Sequence, residues 1–444
     1  VDSTQAYFVD GVHEAVISDL ADEGLGVIAR TSVLQYQHSA KPVRVIAREL
    51  GVDALVEASL SRTPDSVTVR ARLVDGRSEQ YLWHRTYAAS LVQVPSLALN
   101  VARGIARAIA PRRVGSQRAA QPERRVDPEV YDDYLKGRSY LHRPTYIRTD
   151  LETARDYFER AIARDSTYAP AWAGIASYWT TARQRGYYTP QEATPPSEAA
   201  AYKAVALDST LAEAHVALAT AKLYGEWDWH GAEGEFRRAI ALKPDDAGAR
   251  AFYAHLLLIL HRPEDALRQM NRARELDPLD PLLLWINGLT LTGLGRYDDA
   301  IAQYRKFLAR TPNGPGATYL VWQTFDLEGR FAQADSAMQR WVVVNGDSGI
   351  AAAVARGHRQ GGYLGAVRAG ADYRGAHESI TYDPWGKAVW YATARDNDST
   401  LTWLERGVEQ RDPAMPYLDI HPRFNQVHGD PRFQALVKRT KLPS

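Results

Sequence analysis

The chain has 444 residues, with 54 Lys and Arg against 53 Asp and Glu, a formal net charge of +1. No overall field therefore draws it to nucleic acid or to an acidic membrane surface. It contains no cysteine, which excludes disulfides, thiolate metal sites and cysteine nucleophiles and leaves the redox compartment open. The apolar share is 45%, enough for a sizeable core, and the length predicts two or three domains. No apolar run approaches the ~18 residues of a membrane span; Leu256–Leu260 is the best, a single buried turn. No signal-peptide pattern opens the chain, and Val1 reads as a processed or truncated end.

Residues 1–110 do not repeat. Asp10 to Leu20 carries apolar residues at helical period, with Val12, Ala15, Val16 and Ile17 on one side, until Gly24 and Gly26 break the run. Val27–Ala29 reads as a short buried strand. Val43–Leu50 reads as a helix stopped by Gly51, since glycine takes the left-handed conformation of a helix end without strain. From Ala54 the period switches to two. Leu55–Leu60, Val67–Val74 and Tyr81–Tyr87 are expected strands, with turns at Pro64–Ser66 and Asp75–Gly76. Leu97–Ile109 closes the segment as a helix ahead of Pro111. This order predicts a small α/β sandwich with a mixed sheet.

Residues 111–127 lack an apolar period and read as a linker. Arg112, Arg113, Arg118, Arg124 and Arg125 offer a basic cluster to anionic lipid or nucleic acid. No aromatic is interleaved to stack on bases, so a solvated hinge is expected and no nucleic-acid partner. Helix pairs follow from 128. Tyr131, Leu135 and Tyr140 face Ala154, Phe158 and Ala161. Trp172, Ile175, Ala176 and Trp179 open the next pair, whose connection, Arg185 to Ser197, is expected to be an inserted Pro-rich loop. A third pair runs from Ala212 to Ala239, with Trp227–His230 at its turn. Three units of equal length then run from Lys243 to Gly346, marked by Pro244, Pro278, Pro312 and Gly346, each step 34 residues. Small residues recur at matching points: Ala254, Ala266 and Ala273 around Met270, then Gly288 and Ala300 with Tyr304, then Ala334 with Met338. Two antiparallel helices approach closely only where one side chain is small, and a bulky residue one turn on fills the next gap. Phe307 and Trp341 stand where a small residue is expected, which predicts splaying or repacking there. Beyond Gly346 the period blurs. Gly357–Gly375 is expected to hold weak helices at best. A last pair over Ala388–Ala394 and Thr400–Glu409 leads to Asp430–Phe433 and a short terminal helix, so 347–444 reads as a degenerate repeat and cap.

The 34-residue period with these close-contact points resembles the tetratricopeptide repeat, a helix–turn–helix unit. It gives an expected array of about six helix pairs over 128–346. In the first segment, Tyr7-Phe8-Val9-Asp10-Gly11, Val27-Ile28-Ala29-Arg30, Ala47-Arg48-Glu49-Leu50-Gly51-Val52, Leu73-Val74-Asp75 and Trp83 resemble the TolB amino-terminal-like (FlgO-like) domain that precedes such arrays. The terminal Asp430-Pro431-Arg432-Phe433 is similar to that family's ending. One departure stands: the family begins with an apolar strand ahead of the Tyr-Phe-x-Asp-Gly stretch, and this chain lacks it. Either the chain starts inside the domain or another segment supplies the strand; a missing strand would leave an open sheet edge. The expected class is α+β multidomain, a small α/β sandwich followed by an all-α tetratricopeptide solenoid. The resemblance implies a non-catalytic interaction or sensory module of a bacterial signalling protein, since the family occurs in membrane-anchored serine/threonine kinases, class III adenylate cyclases and some transcriptional regulators. In the kinase arrangement the repeats follow a membrane helix and lie outside the cytoplasm; in the others they stay inside.

Chemistry is sparse. No Gly-x-Gly-x-x-Gly, Walker loop, Gly-x-Ser-x-Gly elbow, His-Glu-x-x-His or kinase signature is present. His377-Glu378, and His421 and His428 near Asp419 and Asp430, match no metal spacing and read as loop residues of the terminal fold. Glu405 and Glu409 read as solvated charges on one helix face. No catalytic residue, cofactor or metal is therefore expected in this chain, and the expected partner is a protein or peptide. In a tetratricopeptide array the first helix of each unit lines a concave groove. Registering the repeats places Ala173, Ser177, Val216, Thr220, His255, Leu258, Trp285, Leu289, Tyr319, Gln323 and Asp326 there. Trp285 and Tyr319 hold equivalent positions and are suited to anchor an extended ligand, because aromatic rings bury large area at little entropy cost. The alternatives left open are packing on the neighbouring repeat, or on the Gly-rich tail folded into the groove. Tyr224, Trp227 and Trp229 form a second cluster, read as inter-repeat packing. Two other readings of the whole are an enzyme with a site at the domain junction near Arg30, Glu49 and Glu57, and a free-standing envelope scaffold.

Overall fold

The structure is a computed structural model that describes residues 6–37, 39–109, 126–143, 147–312, 314–377 and 383–442. The expected basic linker lies outside these residues except for Val126 and Asp127, and so do Val1 and Glu378. The chain divides into two compact units. One comprises Val1–Ile175, Ile240–Ala247 and Arg272–Asp280; the other comprises Ala176–Ala239, Gly248–Asn271 and Pro281–Ser444.

In the first unit, helices α1 (Ala6–Asp22), α2 (Arg30–Val33) and α3 (Val43–Leu50) precede strands β1 (Ala54–Arg62), β2 (Ser66–Asp75) and β3 (Tyr81–Ser90), and helix α4 (Val94–Ile109) follows. The strands form one antiparallel sheet in the order β1-β2-β3, with Ala54 opposite Asp75 and Ser66 opposite Ser90. The strict alternation of β2 sets its two faces. Val67, Val69, Ala71 and Leu73 are buried on the face covered by α4, which presents Leu97, Val101 and Ile105. Arg70 and Arg72 are exposed on the other. Behind α4 lies α1, burying Phe8, Val12, Val16 and Leu20 at a four-residue spacing that keeps one stripe inward.

The expected mixed sheet is not formed. Val27–Ala29 joins no strand, and the Ala29 N–H donates instead to the Leu276 carbonyl at 2.8 Å. Leu276 is the last residue of a helix, so its carbonyl has no partner within that helix and is free to accept. One such bond suffices for a three-residue run.

Helix pairs then run through the rest of the chain: α5 (Pro128–Leu141) with α6 (Arg148–Arg164), α7 (Ala169–Gln184) with α8 (Pro190–Leu207), α9 (Ala212–Ala221) with α10 (Trp229–Leu242), α11 (Ala247–Ile259) with α12 (Pro263–Leu276), α13 (Pro281–Gly293) with α14 (Tyr297–Arg310), and α15 (Pro315–Leu327) with α16 (Phe331–Asn345). The small residues of the period sit at zero exposure, Ala254, Ala266, Ala300 and Ala334 among them, with Met270, Tyr304 and Met338 filling the gaps. The turns between paired helices share one geometry. Arg262, Arg296 and Arg330 each donate a backbone N–H to a carbonyl five residues back, at Leu257, Leu291 and Phe325, all at 2.9 Å. The residue before each arginine is left-handed: His261 (φ 54°), Gly295 (φ 71°) and Gly329 (φ 77°).

Two further expectations are corrected, and of the two outcomes expected at Trp341, splaying or repacking, the structure has the second. The Pro-rich loop ends at Thr189, and α8 starts at Pro190. Thr189 and Glu192 form a reciprocal capping box there, and Pro195 and Pro196 lie inside the helix, where each removes one backbone bond from the second turn. Gly357–Gly375 is not weakly helical but belongs to α17 (Ser348–Ala376), which reverses at Gly361 and Gly362. The glycines serve the reversal: Gly362 has φ 60°, and a Cβ on Gly357 would stand 2.2 Å from the Gly365 carbonyl oxygen. Trp341 does not splay its unit. It packs within 6 Å of Trp322 and Trp390, ring centroid to centroid (5.9 and 5.5 Å), in one aromatic-rich core.

The second unit closes with α18 (Pro384–Thr393), α19 (Asn397–Glu409) and α20 (Pro431–Arg439), the last capped by Asp430. Between α19 and α20 the chain makes short 3-10 turns at Met415–Tyr417 and Pro422–Val427. Met415, Leu418, Phe424 and Val427 are buried from this segment, called the cap below. No helix of the described residues is long and apolar enough to cross a membrane.

Candidate functional site

The first helices α11, α13 and α15 present their residues three or four apart to one side, as the period requires. Six of the eleven groove candidates meet there. His255 and Leu258 from α11, Trp285 and Leu289 from α13, and Tyr319 and Gln323 from α15 line one cavity of about 740 Å³ in the second unit. The opposite wall comes from residues that the repeat register did not suggest: Arg374 of α17, Trp385 and Lys387 of α18, and Tyr417, Ile420 and His421 of the cap.

The two aromatic candidates are also packing residues. Trp285 stands edge-on to Phe307 at 5.9 Å, and Gly316 of the next unit lies under its ring, where a Cβ would come within 2.5 Å. Tyr319 lies edge-on to Trp322 at 5.4 Å and to Trp341 at 5.7 Å. Its hydroxyl is buried without a hydrogen-bond partner, and burial raises its pKa. Gln323 accepts from the Thr393 hydroxyl at 3.1 Å.

The cap is held by the same helices. His255 Nδ1 lies 2.9 Å from the Tyr417 hydroxyl, which also meets the Tyr224 hydroxyl at 3.1 Å. Burial pushes the His255 pKa down to about 4, so the ring is neutral at pH 7. Arg423 forms a buried ion pair with Asp326 and donates to the Gln323 carbonyl at 2.8 Å. Asp326 also accepts from the Tyr363 hydroxyl at 2.7 Å, so it clamps the cap and does not line the cavity. His261 bonds Asp419 at 2.9 Å. Asp412, at the start of the cap, accepts the N–H groups of Ala414 (2.8 Å) and Trp385 (3.1 Å); burial pushes its pKa up to about 7.

The remaining candidates lie elsewhere. Thr220 is buried and donates to the Ala217 carbonyl at 2.9 Å, and Ser177 is half-buried; neither lines the cavity. The second aromatic cluster receives the C-terminal chain. Trp229 donates to the Lys441 carbonyl at 2.8 Å, and the Arg411 guanidinium lies 5.0 Å from the Trp227 ring. Arg30, Glu49 and Glu57 are each engaged separately: Arg30 with Asp10, exposed Glu49 with Lys41 and Tyr36, and exposed Glu57 with Arg72 at 3.8 Å. His428 comes no nearer than 3.9 Å to Asp419, and no group of three metal-ligating side chains occurs among the described residues. Glu405 is occupied by Arg432 in a two-bond pair at 2.8 and 3.0 Å that ties α20 to α19.

Residues 254–315 match the tetratricopeptide repeat family. A protein of Rhizobium meliloti (strain 1021) named "Putative adenylate cyclase 3" is 30% identical over 177 residues, which take in 39% of this chain and 30% of that protein. The chain thus spans less than a third of the length of that curated relative. Among solved structures, YrrB, described as a TPR protein with an unusual peptide-binding site, is 21% identical with a TM-score of 0.30, over 43% of this chain and 93% of that one. PilF of Pseudomonas aeruginosa is 16% identical with a TM-score of 0.35, over 62% of this chain and 99% of that one. The helix pairs within 254–315 match that repeat family, and His255, Leu258, Trp285 and Leu289 from them form part of the cavity wall.

Proposed function

We propose that this chain is a non-catalytic interaction module that recognises a segment of a partner protein on the first-helix face of its repeats. The observation that carries the reading is the cavity where Trp285 and Tyr319, equivalent residues of successive units, share a wall with His255 and Gln323. Tetratricopeptide repeats are a binding architecture, and stacked aromatics are the side chains that most often dominate binding energy. Because the cap covers part of this face, the partner enters with a short projection and not as a strand running the length of the array. The cyclase-named relative, together with the TolB-like resemblance of the first segment, supports a place beside a signalling enzyme carried elsewhere in a longer protein or in a partner. The kinase-like setting, with the repeats beyond a membrane anchor, is the location we favour on that resemblance.

The test is capture of partners by the immobilised chain from extracts of its source cells, comparing wild type with the double variant Trp285→Ala, Tyr319→Ala. Loss of specific partners with unchanged circular dichroism is expected. An unchanged partner set would remove the cavity from the interaction.

A further inference from the structure

We infer that the cavity on α11, α13 and α15 is a binding site for a compact, uncharged, ring-bearing small molecule, so that the interaction module is also a sensor. The inference rests on reading this cavity as the recognition site and adds a second class of occupant to it.

Size comes first. About 740 Å³ falls within the range of pockets that enclose small organic ligands, and far exceeds one side chain. Shape comes second. The cap is built in as a wall. Met415, Leu418, Phe424 and Val427 are at most 2% exposed, and the Arg423–Asp326 pair is buried on both sides. An extended peptide following the groove would have to strip that pair of its partners and bring those four side chains into water. A compact molecule displaces none of them.

Charge comes third. The charged groups on the lining already have partners. Arg374 is paired with Asp383. Lys387 donates to the His377 carbonyl at 3.1 Å and lies 4.3 Å from the Trp403 ring. Asp347 caps α17 through the N–H groups of Gly349 and Ile350. His255 and His421 are buried and neutral at pH 7. A charged ligand would enter a mainly apolar chamber with no free counter-charge to meet it, a costly transfer. An uncharged ring would instead lie against Trp285, Tyr319, Trp341 and Trp385, where edge-on and offset stacking are favourable.

The experiment uses N-phenyl-1-naphthylamine, a neutral two-part aromatic whose fluorescence rises in apolar sites, titrated into the full chain. Three proteins are compared: wild type, Leu289→Trp, which fills the cavity from a half-buried lining position, and Val343→Ser, a control at an 80% exposed apolar residue outside it. Saturable one-to-one binding is expected in wild type and Val343→Ser, with at least tenfold weaker binding in Leu289→Trp. The anionic analogue 8-anilinonaphthalene-1-sulfonate is expected to bind at least tenfold more weakly than the neutral dye. Non-saturable binding, equal binding by Leu289→Trp with an unchanged melting temperature, or preference for the anionic dye would each overturn the inference. Should Leu289→Trp fail to fold, Leu258→Phe takes its place. Dye binding and partner capture fail separately. Capture lost in the Trp285, Tyr319 double variant without dye binding retains the interaction reading alone, and the reverse result retains the sensor site alone.

Discussion

Replacing Arg423 by Met leaves the Asp326 carboxylate, only 4% exposed, without its counter-charge. Removing one member of a buried ion pair costs about 3–5 kcal/mol, most of it the price of an uncompensated charge. The Gln323 carbonyl loses its 2.8 Å donor as well, for about 1 kcal/mol more. The Tyr363 hydroxyl remains on Asp326 and softens the loss, which places the single variant at about 3–5 kcal/mol in total. The double variant Arg423→Met, Asp326→Leu removes both charges. It should recover most of this and retain a deficit of about 1–3 kcal/mol, because Tyr363 then lacks its acceptor. Urea unfolding followed by tryptophan fluorescence measures both, since Trp322, Trp341 and Trp390 lie in the adjoining core. Hydrogen exchange at residues 412–428 reports whether the cap is the part that loosens. A single variant costing less than about 1 kcal/mol, or a double variant worse than the single, would refute the buried-clamp reasoning.

The buried Asp412 should give the unit an unusual pH dependence. Its folded pKa is raised by burial to about 7, above the ordinary aspartate value of about 4, so the folded state holds the proton more tightly and stability falls as pH rises from about 4 to about 7. Asp412→Asn should flatten that fall in melting temperature between about pH 4 and 7. Glu14 works in the opposite sense. Burial opposes its ionisation, but Arg138 more than compensates and brings its pKa down to about 2, so its contribution is present above pH 4.5 and fades as pH falls toward 2; Glu14→Gln should blunt the acid sensitivity of the first unit. Arg395→Gly should stabilise by about 0.5–1 kcal/mol by relieving a left-handed residue, whereas Gly329→Ala should cost at least as much, both read by urea midpoints. Thr189→Ala should lower stability by about 1 kcal/mol by removing the cap of α8, and a change below a few tenths would argue against the capping box.

What could be read from the sequence follows the range of the interactions. Repeat packing is local. Gly288 of α13 and Tyr304 of α14 face each other across a short turn, and their spacing alone is enough to pair the helices. The same turn was harder to see where its left-handed residue is not glycine. Arg395 (φ 59°) precedes Asp396, whose N–H reaches the Tyr391 carbonyl at 2.9 Å as in the repeats. Arg395 lies 66 residues after Gly329 (395 − 329), two short of two periods, because the reversed α17 intervenes. Pro195 and Pro196 suggested a loop because proline usually breaks a helix, yet near a well-capped start it costs only the bonds of the second turn. Asp326 was expected in the groove, yet it does not line the cavity. Its role turned on Arg423, 97 residues away in an irregular segment with no period to reveal it.

The cap also changes what the cavity can report. Its walls come from repeat helices on one side and from Tyr417, Ile420 and His421 on the other, so a molecule that fills it touches both. Binding to the assembled state alone adds RT ln(1 + [L]/Kd) to the stability of that state, about 2.7 kcal/mol at a hundredfold excess over Kd. Because the cap residues have contacts with the first helices only in the assembled state, this free energy appears as resistance to cap opening. Tyr417, one of the cap residues on this wall, bridges His255 of α11 and Tyr224 next to α9. A tetratricopeptide face left open would bind and release a ligand with no such record. Closed by its own chain, the site proposed above would couple occupancy to the fold of residues 412–428, the coupling expected if the chain serves as a sensor.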